Sequence, residues 1–125
     1  AFFIGITTPL ICYFFVSFVK SRLGYDDSLD AFGCHGMGGV WGALMTGIFC
    51  TKTINDAGAD GLLYGNPGQL IPQITGIVTG IIVAIVMTTL IIKVLGIFMK
   101  VRATASEEAQ GLDLIDHGER AYNKL

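Results

Sequence analysis

One imidazole stands alone in the apolar part of this sequence. The stretch DAFGCHGMGGVWGAL, Asp30 to Leu44, holds His35 among glycines, and no other charged or basic side chain lies between Asp30 and Lys52. A ring kept from water is favoured in its neutral form. A neutral imidazole has one N–H donor and one N acceptor. It suits either of two tasks: holding a small polar neutral molecule in a narrow passage, or passing a proton to a second ring. A second set of reactive side chains, Asp113, Asp116, His117 and Glu119, lies near the end of the chain. Its spacings of three and four are ordinary on a polar helix and no soft ligand accompanies it, so no metal site is assigned there.

The residues around His35 dictate how it is held. Gly38, Gly42 and Thr46 form one row at four-residue spacing, and His35, Gly39, Ala43 and Gly47 form the next. Gly76 and Gly80 add a similar pair further on. Glycine weakens a helix in water, but small residues let membrane helices approach backbone to backbone. His35 shares a row with small residues, so it is expected to face protein or a cavity, not lipid. Phe32, one turn away, can narrow a passage, and Trp41 is read as packing. The structural alternative stays open: a single membrane histidine also serves simply to hydrogen-bond a neighbouring helix.

The composition favours lipid as the solvent. Of 125 residues, 52% are hydrophobic and 14% charged, against about 25% charged in an ordinary soluble domain; the mean hydropathy is +0.63. A formal net charge of -2 gives no basic field for nucleic acid. Cys12, Cys34 and Cys50 lack paired metal-ligand spacing and are read as reduced, small and hydrophobic. The sequence contains no nucleophile–base–orienter set and no phosphate-binding loop, so it is read as a non-enzyme without a cofactor.

These features predict an all-α, polytopic membrane protein with a transmembrane region over residues 1–100 and a tail over 101–125. Helices are expected at about 1–22, 29–50 and 70–98, each long enough to cross a hydrocarbon layer of about 30 Å. Pro9 should kink the first, with neighbouring hydroxyls satisfying the freed carbonyl. Asp27 or Ser28 is expected to cap the second, and Asp30 to fall in its first turn, where carboxylates are favoured. His35 then lies about 9 Å inside that helix. Residues 51–69 read as a polar, glycine-rich loop, partly packed back on the membrane face at Leu62, Leu63 and Tyr64. Lys20, Arg22, Lys93, Lys100 and Arg102 fall on one side if the spans alternate, which makes the tail cytoplasmic. Ala1 opens inside an apolar run without a signal-peptide pattern, so the chain is expected to begin within a longer protein.

Two stretches resemble one family. DDSLDAFGCHGMGGVWGALMTG, Asp26 to Gly47, resembles the tenth membrane helix of the ammonium transporter (Amt/Mep/Rh) family. GLDLIDHGERAY, Gly111 to Tyr122, resembles that family's cytoplasmic C-terminal signature. The resemblance covers essentially the whole chain, as the last three of eleven membrane helices and the tail. It implies that His35 is the second of two histidines lining an ammonia-conducting pore. Ala31 then occupies a small pore-lining position with Phe32 beside it, Asp30 is a structural aspartate, and the glycines pack around the pore. It also implies a cell-membrane homotrimer with ammonium or ammonia as substrate, and a tail that couples subunits and meets a PII-type signalling protein. The partner histidine and most of the wall would come from helices upstream of this sequence.

The tail reads as a switch element. Gly111 and Gly118 permit tight turns, and Asp116 and Glu119 can pair with Arg102, Arg120 or Lys20. Asp113 and His117 lie within the same signature, and Tyr122 can anchor by its ring. Two other functions compete: a membrane anchor holding haem for an electron-transfer complex, which needs a histidine from another chain, and a non-conducting fragment that associates with intact transporter subunits.

Overall fold

The computed structural model describes residues 1–120, and the expectation for Tyr122 lies outside the described residues. Every regular element among them is helical. The chain divides into two compact units, Ala1–Ile82 and the residues from Val83 onward.

In the first unit, residues Phe2–Leu23 form one continuous helix. It is α-helical over Phe2–Phe14, widens to π-helical geometry over Phe15–Val19 and returns to α over Lys20–Leu23. Gly24 ends it in the left-handed conformation (φ 65°), which carries no Cβ penalty in glycine. Pro9 sits inside this helix. Thr7 Oγ1 donates to the Phe3 carbonyl at 2.9 Å and Thr8 Oγ1 to the Ile4 carbonyl at 2.7 Å. The hydroxyls thus serve carbonyls just ahead of Gly5, whose carbonyl is the one four residues before the proline.

The second helix occupies residues 32–49, π-helical over Phe32–Met37 and α-helical over Gly38–Phe49. It begins a few residues later than the sequence suggested, because Asp30 takes a left-handed backbone (φ 54°) immediately before it. That corrects the placing of Asp30 within the first turn. The capping role falls to Asp27, whose two carboxylate oxygens accept from the N–H groups of Ala31 and Phe32, each at 2.9 Å. Asp30 instead reaches back to the first helix, accepting from Lys20 Nζ at 2.5 Å; the same ammonium donates to the Asp27 carbonyl. One lysine therefore fixes the whole connection between the two helices.

The segment after Cys50 is ordered by its own polar groups. Asp60 Oδ1 accepts from Thr51 Oγ1 at 3.0 Å and from the Lys52 N–H at 2.8 Å. These two donors hold the Asp60 carboxyl below its ordinary pKa, the Lys52 N–H contributing most. Gly61 donates to the Cys50 carbonyl at 2.8 Å, and single 3₁₀ turns follow at Leu62–Tyr64 and Pro67–Gln69. The first of these turns lies against the second helix, while the side chains of Leu62, Leu63 and Tyr64 are exposed.

The third helix, Leu70–Phe98, contributes residues to both units. Pro72 stands in its first turn, where a missing N–H costs little. Its apolar side chains, among them Ile82, Ile85, Leu90 and Ile97, are exposed along its length. A helix apolar all round is stable only when covered by lipid or by other helices. Two helices among the described residues are long and apolar enough to cross a membrane, Phe2–Leu23 and Pro67–Phe98.

In the second unit, the tail forms two short helices, Ala105–Gln110 and Leu112–His117. A reciprocal capping box starts the first: Thr104 Oγ1 accepts from the Glu107 N–H, and the Glu107 carboxylate accepts from the Thr104 N–H. Gly111 (φ 96°) and Gly118 (φ 67°) punctuate them, in conformations an L side chain rarely adopts.

Candidate functional site

The seam between the first and second helices is built on glycines and one thiol. Gly33 is buried, and a Cβ there would lie 2.6 Å from Val16 Cγ2 and 3.3 Å from the Val16 nitrogen. At Gly38 a Cβ would lie 3.1 Å from Cys12 Sγ, and that thiol donates to the Cys34 carbonyl at 3.5 Å. Higher up, the Trp41 indole N–H donates to Thr7 Oγ1 at 2.9 Å, so Trp41 ties the two helices together by a hydrogen bond as well as by packing. Gly47 meets Gln73 and Leu70 at the start of the third helix. Gly61 meets backbone: a Cβ would lie 2.6 Å from the Gly47 carbonyl oxygen and 2.8 Å from that of Ile48.

The glycine rows therefore divide by what they touch. Gly38 and Gly47 make close approaches within this chain, while a Cβ at Gly39, Gly42, Gly76 or Gly80 would meet nothing within 4 Å among the described residues. Met45 and Gly47 are buried, Ala43 is half-buried, and Thr46 is exposed. His35 lies inside the π-helical turn and is exposed. No part of the described chain closes over it, so the packed passage expected around it is not formed by these residues alone.

Phe32 is held between two rings, with Tyr25 edge-on at 5.6 Å and Phe15 at 6.3 Å between centroids. Ala31 and Phe32 line a cavity of about 540 Å³ with Leu23, Tyr25, Asp26 and Asp27. Beside it the Tyr25 hydroxyl oxygen is buried without a partner among the described residues. Sequence reasoning missed Gly33, Gly61 and Cys12. The five-residue step from Gly33 to Gly38 was the available signal, because it is the repeat of a π-turn and not of an α-helix.

In the tail, Lys100 Nζ holds the Glu107 carboxylate at 2.5 Å and Arg102 Nε meets Glu108 at 3.3 Å. The Lys100 ammonium, followed by the Thr104 N–H and hydroxyl, pulls the Glu107 carboxyl down to about 2. Lys100 and Arg102 thus both engage the capping-box helix, at Glu107 and Glu108. Asp113 lies in the first turn of the second tail helix, the end that favours a negative charge, and His117 in its last.

Among the described residues every regular element is helical and two apolar helices are long enough to cross a membrane, an arrangement consistent with a membrane protein. Comparison with known proteins narrows the class. The model of the Ammonium Transporter Family matches residues 1–122, and the chain belongs to that family. It is 47% identical over 119 residues to an ammonium transporter of Bacillus subtilis (strain 168), covering 95% of this chain and 30% of that protein. It is 43% identical over 121 residues to an ammonium transporter of Aquifex aeolicus (strain VF5), covering 97% and 28%. With the ammonium transporter Amt1 of Archaeoglobus fulgidus the identity is 36% over 123 residues, covering 98% and 30%. The chain thus spans about 30% of the length of these relatives.

Proposed function

We propose that this chain forms part of a channel-like transporter that carries ammonium or ammonia across the cell membrane, with His35 on the pore wall. In this reading residues 32–49 are the middle one of three spans, the last three of eleven. Ala31 and Phe32 stand on the same wall toward the cytoplasmic end, and upstream helices supply the facing surface and a second imidazole. Gly38 and Gly47 hold the helix against its neighbours in the chain. Gly39, Ala43, Gly42, Gly76 and Gly80 admit close approach by helices of the same protein or of neighbouring subunits in a homotrimer. The tail, through Gly111, Asp113, His117, Gly118, Glu119 and Tyr122, is a cytoplasmic regulatory element that couples subunits and meets a PII-type signalling protein.

The observation that carries this reading is His35 itself. It is exposed on a helix whose glycines at 33 and 38 are already committed to the first helix, in a chain that belongs to a transporter family. A neutral imidazole there can accept from an entering ammonium ion, or donate to ammonia, without adding a fixed charge to an apolar tube. The test is uptake of methylammonium by the protein with all its helices, comparing wild type with His35→Ala at equal amounts in the membrane. A fall of tenfold or more is expected. Unchanged uptake would remove His35 from the pathway.

A further inference from the structure

We infer that the π-turn at Phe32–Met37 is the device that aims His35, with Gly33 and Cys12 as its positioning residues; this inference rests on the transport reading above. The two π-helical turns of the first unit, Phe15–Val19 and Phe32–Met37, lie in adjacent, contacting helices. Gly33 packs on Val16 of the facing turn, and five residues later Gly38 packs on Cys12. An α-helix turns about 100° per residue, which would put positions five apart about 140° from one another. A π-turn advances by roughly 80° per residue, which brings the same two positions within about 40°. Both glycines can face the first helix only because the turn between them is wide.

His35 lies inside that turn, and its direction follows. With Gly33 and Gly38 both on the seam, roughly 80° per residue sets His35 about 160° from the first and about 120° from the second, turned from the first helix toward the open side, and the ring is exposed. The thiol of Cys12 seats against Gly38 and donates to the carbonyl of Cys34, the residue just before His35, and so holds the turn from the other helix. π-turns inserted in α-helices are frequent at functional sites.

Gly33→Ala drives a methyl into Val16 and into the backbone nitrogen behind it. The turn then gives way and His35 swings toward the seam. Uptake by the full-length protein is expected to fall about tenfold at equal membrane levels, with the pair Val16→Ala and Gly33→Ala recovering to within about threefold of wild type. In a His35→Ala background, Gly33→Ala should cost no further factor beyond about twofold, since its effect passes through the ring. Cys12→Ala removes only the thiol; it is a milder variant expected to lower uptake a few-fold in the presence of His35 and not in its absence. The inference is overturned if Gly33→Ala and Cys12→Ala leave uptake at the wild-type rate. It is equally overturned if they impose the same factor with and without His35, because the glycine and the thiol would then serve packing alone. If His35→Ala itself leaves uptake intact, the transport role of His35 fails first and this inference with it, a result recognisable from the single variant.

Discussion

The approach of Gly61 to the end of the second helix sets the most demanding test of the fold. Its backbone is not unusual (φ -91°), so an alanine there meets no conformational penalty of its own. What the methyl meets is backbone: 2.6 Å to the Gly47 oxygen, 2.8 Å to the Ile48 oxygen and 3.0 Å to the Ile48 carbonyl carbon. No rotamer change relieves such a contact. Either the polar segment lifts off the helix, breaking the 2.8 Å bond from Gly61 N–H to Cys50, or the helix end shifts. Overpacking of this kind costs about 1–3 kcal/mol. The matched control is Gly5→Ala, where the added carbon meets nothing within 4 Å and alanine favours helix by up to about 1 kcal/mol. Unfolding in mild detergent by graded addition of a denaturing detergent, followed by Trp41 fluorescence and by thiol exposure, gives both midpoints. Gly61→Ala should unfold earlier than wild type and Gly5→Ala no earlier. Coincident midpoints for Gly61→Ala and wild type would refute the claim that this contact is sterically closed.

Three further outcomes follow from the same geometry. Replacing Trp41 by Phe or Thr7 by Val should each cost about 0.6 kcal/mol, and at most about 1.7, with the double variant costing little more than either single; strict additivity in a double-mutant cycle would deny the bond. Asp27→Ala leaves the N–H groups of Ala31 and Phe32 without their carboxylate and should destabilise by about 0.5–2 kcal/mol, whereas loss of a merely solvated aspartate would not register. Glu107 has a carboxyl pulled down to about 2 by Lys100 and Thr104, so its folded form favours the ionised state. Its contribution is complete above the ordinary carboxylate range near 4.5 and is lost as pH falls from there through about 2. Carbon NMR of the Glu107 carboxyl should show the low midpoint, and Lys100→Met should move it upward; a midpoint unmoved by that change would place the cause elsewhere.

Hydropathy and local chemistry determined much of this protein from the sequence alone. The apolar runs ending at Lys20 and beginning at Leu70, the tail glycines at 111 and 118, and an aspartate capping the second helix are all legible there. Each depends on interactions within a few residues, or on the solvent a segment prefers. His35 stood out in the sequence as the candidate site because a lone polar ring in an apolar helix has few reasons to be there.

Only the tertiary structure decided which way that ring faces. Strict four-residue spacing put His35 in line with Gly39, Ala43 and Gly47, and the π-turn breaks that register. The turn lies where two helices meet through Gly33, Val16, Cys12 and Gly38, a contact between residues more than fifteen apart that no local propensity encodes. The same holds for Asp30, displaced into a left-handed backbone and held by Lys20 across the connection, and for Gly61, whose neighbours at Gly47 and Ile48 are set by how the chain returns on itself. Periodicity reports which side chains want to leave water. The partner that receives them, and the rotation at which they arrive, is fixed only when two backbones close to contact.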